Sequence, residues 1–192
     1  MIADMSGCNL GPASQTSHLR ACKRFAAWLG RCHVNLGAFS QILPDRIPAA
    51  NEGGSTAPHI AGRDINNKPF MVSGGLMGCW GGNSLSDGME GISNPAANLG
   101  NTPIELLESR QPVEITKYAF VANSGGPGRR RGGVALVRGY RLLEEDAELV
   151  IRSDRRSVTP YGLSDGLAGT PSWNVLYSDG EKNFCPPARW KP

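Results

Sequence analysis

Three runs of alternating, β-branched residues follow one another between Pro112 and Asp154, and they constrain the fold more than any other feature of the chain. "VEITKYAFV" (113–121), "GGVALVRGYRLL" (132–143) and "AELVIRSD" (147–154) each read as a strand, because period-two patterning with branched side chains suits a pleated surface. The first two are separated by "NSGGPGRRRGG" (123–133), a segment crowded with glycine and arginine. No helix pattern begins there, and the G-K-S/T ending that a P-loop needs for phosphate and magnesium is absent. A single basic triplet without interleaved aromatics offers no stacking platform for nucleic acid. The segment is therefore expected to be a turn between two antiparallel strands, its arginines free to pair with carboxylates such as those in "LLEEDAE" (142–148).

Upstream, "NTPIELLESRQP" (101–112) predicts a short helix over Thr102 to Ser109. Thr102 is placed as the N-cap, Pro103 as the first helical residue, and Glu105 completes a capping box. An early long helix is expected from Ser14 to Pro44, capped by Ser14 or Thr16, with Leu19, Cys22, Ala26 and Leu29 at helical spacing. His18 and His33 fall on it as ordinary, partly exposed helix histidines. Residues 51–101 read as glycine-rich loop with a short strand at Phe70 to Val72, and Trp80 is expected against closely approaching backbone. The fold class is thus α+β: an early long helix, a glycine-rich loop region, a short capped helix, then an antiparallel sheet.

Composition narrows the function classes. The 25 glycines and 14 prolines of the 192 residues suit a turn-rich domain. A net charge of +3 is too small to signal nucleic-acid binding. There is no run of apolar residues long enough to cross a bilayer. The N-terminus lacks a basic region followed by an apolar stretch, so the cytoplasm is the expected location. Five scattered cysteines (Cys8, Cys22, Cys32, Cys79, Cys185) without a C-x-x-C pair argue for ordinary thiols rather than disulfides or zinc.

The ordered motifs in "GISNPAANLGNTPIELLESRQPVEITKYAFVANSGGPGRRRGGVALVRGYRLL" (91–143) resemble the hydantoinase B/oxoprolinase family, which includes homologous subunits of acetone and acetophenone carboxylases. That family carries an Asn-rich loop, a T/V-P-x-E-x-x-E helix and S-G-G-x-G-x-x-R-G-G. "RSDRRSVTPYGLSDGLAGTPSWN" (152–174) and "LGAFSQILPDRIPAANEGG" (36–54) add to the likeness, which spans Val34 to Gly180. Gly139 departs from the family's acidic residue in R-E-Y/F, and Asp165 replaces one glycine of a G-G pair. The whole chain, 1–192, is expected to be a partial domain of this family. Residues 1–33 and 184–192 are its atypical ends, rich in Arg, Cys and Trp as a shifted reading frame would be. An intact frame with genuine termini at the locus would refute that last expectation.

The resemblance implies a portion of the B-type subunit of an ATP-dependent cyclic-amide hydrolase of the 5-oxoprolinase or N-methylhydantoinase type. Its partner is a hydantoinase A-type ATPase subunit and its substrate a small cyclic amide, with no nucleic acid or membrane involved. ATP and a divalent metal belong to the complete family enzyme, and none is expected on this stretch, which lacks the family's N-terminal His and Asp ligands. The alternatives are the related ketone carboxylase subunit and a non-catalytic interaction module. No catalytic residue is assigned. Asn94 and Asn98 have amides able to hold a polar ring or oxyanion, or else form turns. Ser124 is a nucleophile only with a base, and no histidine is near in sequence; otherwise it caps a turn. Arg131 either clamps a phosphorylated intermediate or makes a structural ion pair. Asp154 with Arg152 and Arg155 reads as a salt-bridge network. Apolar surface left uncovered in so short a representative of the family predicts poor solubility or association with a partner.

Overall fold

The structure, a computed structural model, describes residues 2–4, 32–53, 56–93, 99–144, 147–178 and 181–184. In chain order its elements are β1 (Ile2–Asp4), helix α1 (described over 32–42), β2 (Ala57–Arg63), β3 (Pro69–Ser73), β4 (Gly78–Cys79) and β5 (Glu90–Ile92). Then come α2 (Ile104–Arg110), β6 (Val113–Phe120), β7 (Leu136–Leu142), β8 (Ala147–Arg152), β9 (Val175–Ser178) and β10 (Glu181–Phe184). The fold is α+β, with a five-stranded sheet ordered β10-β9-β1-β7-β6, a three-stranded sheet β3-β2-β8 and the small pair β4-β5.

The two larger sheets meet across one core. On the smaller sheet Val72, Ile60 and Leu149 sit in register across three strands, and Ala147 adds to the same buried cluster. Facing them, Val113 pairs with Leu142 and Ile115 with Tyr140, and Leu176 on β9 is fully buried. Leu107 of α2 packs against this cluster. The inward row on each strand follows from the period of two that the sequence shows for β6, β7 and β8.

Three expectations need correction. The sheet is not purely antiparallel, because β1 lies between β7 and β9 and runs parallel to both. Nor does 51–101 hold only one short strand in its loops, since β2 forms the centre of the second sheet there and β4 pairs with β5 beyond it. "APHIAGR" hides this with a proline and a glycine. Pro58 is tolerated because β3 pairing begins only at His59, so Pro58 faces a single neighbour, Ile151 of β8. Third, no capping box forms on α2. Pro103 is the N-cap, its carbonyl accepting from Leu107 N at 3.1 Å, and no side-chain cap bond is made. Thr102 therefore lies one residue outside the cap, and Glu105 remains as an acid in the first turn, complementing the helix dipole. The early helix is present over 32–42; its proposed cap at Ser14 or Thr16, and His18, lie outside the described residues.

The strand β6 forms one edge of the larger sheet. Its opening is covered by α2, whose Glu108 carboxylate accepts the Ile115 N–H at 2.7 Å. A helix carboxylate here occupies an edge donor that an incoming strand would otherwise use.

Candidate functional site

The β6–β7 connection, 121–135, is an antiparallel link as the sequence indicates, but it is a broad excursion that builds one wall of a cleft. Residues 44–52 behind α1, the segment 79–88 and the long loop 153–174 supply the rest. Backbone bonds stitch these loops together: Ala49 N to Gly82 O (2.9 Å), Gly88 N to Arg131 O (2.8 Å), Gly133 N to Trp80 O (2.9 Å) and Leu167 N to Pro127 O (2.8 Å). Gly88 and Gly126 make this possible. A Cβ on Gly88 would collide with the Trp80 carbonyl and Gly133 N, and one on Gly126 with the Leu167 carbonyl. Neither obstacle is a side chain able to swing aside. The cleft, open on one side to solvent, has a volume of about 450 Å³, in the range of small-molecule sites.

Backbone strain concentrates in the same loops. Of the five non-glycine residues with positive φ among the described residues, Asn123, Arg155, Ser164 and Asp165 belong to two of the segments that form the cleft. Only Asn67, in the β2–β3 turn, lies elsewhere. A left-handed backbone costs an L-residue roughly 1–2 kcal/mol, and such costs persist where surrounding structure enforces them. Asp165 occupies the position at which the resemblance finds a glycine. Its φ of 66° is the reason a glycine suits it.

The cleft's chemistry is mixed. Arg129 and Arg130 stand exposed at its rim and Arg155 is half-buried in its wall. Arg155 is held by Nε donating to Asn51 O at 3.1 Å and by its carbonyl accepting from Ser172 N at 3.0 Å. Glu52 and Cys79 also line the cleft, with Glu52 N bonded to Cys79 O at 3.2 Å; Glu52 lies in the chain between Asn51 and Gly53, the two residues that the Arg155 side chain touches. Burial first, then the charges of Glu52 and Glu90, push the Cys79 thiol up to about 11. It is a protonated donor at neutral pH and not a nucleophile. Both described cysteines, Cys32 and Cys79, are free thiols.

The sequence-based site residues divide. Ser124 lines the cleft, but its hydroxyl donates to Val121 O (2.6 Å) and accepts from Ala135 N (2.7 Å), closing the neck of the excursion. Its proton goes to a carbonyl, which is no base, so the turn-capping role is the one observed. Arg131 is an ion-pair residue: Nη1 meets Glu90 Oε1 at 2.6 Å, Nε lies 3.9 Å from Asp87, and Arg131 N also bonds Asp87. These partners are not the carboxylates of "LLEEDAE". That stretch follows the far end of β7, whose 7 residues at about 3.3 Å each hold it a strand's length away. Asn94 and Asn98 lie outside the described residues. Arg152 does approach Asp154 (3.8 Å), whereas Arg155 leaves that pair for Asn51. Glu52 and Arg155 drew no role in the cleft from sequence, because only long-range backbone pairing brings 49–53 against 153–155. Trp80 behaves as expected, its Nε1 donating to Ser93 O at 2.7 Å within closely packed backbone.

A match to the hydantoinase B/oxoprolinase family spans residues 15–188. The chain belongs to that family. It is 30% identical over 133 residues to the B-type chain of a putative D-/L-hydantoinase of Pseudomonas sp., covering 69% of this chain and 22% of that one. It is 37% identical over 90 residues to a protein of Pestalotiopsis fici named 5-oxoprolinase, covering 47% of this chain and 7% of that one. The nucleotide-free structure of an acetone carboxylase superposes with a TM-score of 0.56 at 19% identity, over 70% of this chain and 18% of that one, which shows a shared fold. This hydantoinase B/oxoprolinase chain thus spans about a quarter or less of the length of these relatives.

The divalent metal implied by the family finds no home among the described residues, where no group of three or more His, Cys, Asp or Glu side chains is placed to hold one. No described helix is long and apolar enough to cross a membrane.

Proposed function

We propose that this chain serves within a B-type subunit of an ATP-dependent cyclic-amide hydrolase of the 5-oxoprolinase or N-methylhydantoinase kind, alongside a hydantoinase A-type ATPase in the cytoplasm. The observation that carries the reading is the strained, glycine-walled cleft built by the same motifs that define the family. A resonance-stabilised amide is a poor electrophile. Phosphorylation of its oxygen by the ATPase partner would convert that oxygen into a leaving group, and the B-type subunit would receive the activated ring. ATP and metal would be held by other parts of the complete enzyme. What this chain contributes is a cleft with main-chain walls whose arginines favour a negatively charged ligand.

The test mixes the purified chain with an A-type partner, ATP and 5-oxoproline or a hydantoin, and follows ADP release against a full-length B-type subunit. Ring-dependent ADP release that needs this chain supports the proposal. No release with any cyclic amide, while the full-length protein is active, overturns it for the isolated chain. A second reading, a non-catalytic interaction module, is favoured by the outward face of α1. Val34 (70% exposed), Phe39 and Ile42 (75% exposed) leave an apolar stripe uncovered there. An inactive chain that nevertheless binds the A-type partner would support that reading.

A further inference from the structure

Several arginines of the described structure pair with carboxylates, and one more donates to a main-chain carbonyl. Arg131 pairs with Glu90 (2.6 Å), Arg141 with Glu114 (2.9 Å) and Arg152 with Asp154 (3.8 Å), and Arg63 donates to Asn67 O (2.7 Å). The three that line the cleft behave otherwise. Among the described residues Arg129 and Arg130 have no carboxylate partner, and Arg155 uses only Nε, on Asn51 O, leaving both terminal nitrogens unengaged. Arg155 is also the strained one. Its φ is 58°, and its side chain lies across Gly53, itself left-handed at 85°, where any Cβ would strike the guanidinium stem.

A residue tethered through Nε and its own carbonyl, in a conformation that costs stability, presents a fork with two free N–H edges. That is the geometry that accepts a planar carboxylate or a phosphate in a bidentate manner. Backbone strain beside donors that no protein group engages points to a ligand rather than to packing. We propose that the cleft is an anion seat, in which the Arg155 guanidinium takes a carboxylate or phosphate oxyanion while Arg129 and Arg130 at the rim draw it in. The carboxylates in the same cleft do not occupy this seat. Asp154 faces Arg152, Glu52 is packed beside Cys79, and Asp45 stands exposed behind α1.

The inference rests on the hydrolase reading only for the identity of the physiological ligand. Binding of a simple anion is measured without the ATPase, so the two fail separately. The experiment titrates inorganic phosphate, acetate and 5-oxoproline into the full chain at low ionic strength, by calorimetry and by the anion-dependent rise in melting temperature. Phosphate against acetate distinguishes the two oxyanion sources, and 5-oxoproline against acetate reports whether a ring amide adds affinity. Arg155→Gln is expected to weaken binding about tenfold or more, and Arg130→Gln a few-fold. Arg155→Lys should restore only part, since an ammonium lacks the fork. Arg155→Gly is the decisive variant, because glycine relieves the left-handed strain while removing the guanidinium. It should melt no lower than Arg155→Gln yet bind no anion. An exposed control, Arg110→Gln on α2, should bind as the parent does. Absence of any saturable binding, or equal weakening by Arg110→Gln and Arg155→Gln, would overturn the proposal.

Discussion

Replacing Asp165 by glycine should stabilise the protein. Asp165 has φ of 66° and is exposed, and its side chain makes no hydrogen bond or ion pair among the described residues. Nothing is therefore lost with the carboxylate, and the left-handed penalty of roughly 1–2 kcal/mol for an L-residue is removed. Aspartate sits at the low end of that range, and the extra freedom of glycine in the unfolded chain returns about 0.5–1 kcal/mol to the debit side. The net gain is about 0.5 kcal/mol, or 1–2 °C in melting temperature for a domain of this size. Calorimetry or circular dichroism of parent, Asp165→Gly and Asp165→Ala resolves it. Alanine must melt below the parent, since it keeps the strain and loses the short polar side chain that tolerates it. If glycine and alanine both lower the melting temperature by the same amount, the 160–169 loop does not hold Asp165 in the left-handed region, and the strain argument for the cleft loses its footing.

Other consequences are checked more briefly. Gly88→Ala should cost about 2–3 kcal/mol in urea unfolding, because its Cβ meets main chain on two sides, while Gly74→Ala, with open space around it, should cost far less. Leu149→Ala, fully buried between the sheets, should cost about 2–5 kcal/mol. The raised Cys79 thiol keeps its proton in the folded state after the unfolded chain has lost its own, so stability should fall from pH 9.0 towards pH 11. Cys79→Ala should flatten that limb of the pH–stability curve; an unchanged slope would refute the assignment. The apolar stripe on α1 should drive association. Ile42→Glu is expected to reduce it in light scattering, and a monodisperse, cooperatively melting parent would contradict the expectation.

Much of this architecture was legible in the residues. The period-two runs at 113–121, 132–143 and 147–154 gave β6, β7 and β8, because side-chain alternation is a local property that any burying surface must respect. The segment 123–133 runs into strand β7 and not into a helix, as its residues indicate. By contrast β2 was illegible. "APHIAGR" has little strand propensity, and only its place between β3 and β8 makes it a central strand. The capping box failed by one residue, the margin by which a proline shifts from first helical position to N-cap.

The order of motifs in the sequence determined the family, the α+β class and the turn between β6 and β7, since these depend on residue type and spacing along the chain. Tertiary structure alone decided which arginine is neutralised and which is left open. Arg131 and Arg155 are equally basic as letters. One meets Glu90, 41 residues away, while the other is turned by a left-handed backbone towards Asn51, 104 residues away. The physical reason is that charge is a property of the residue, whereas its desolvation and its partner are properties of whatever distant segment folding brings alongside.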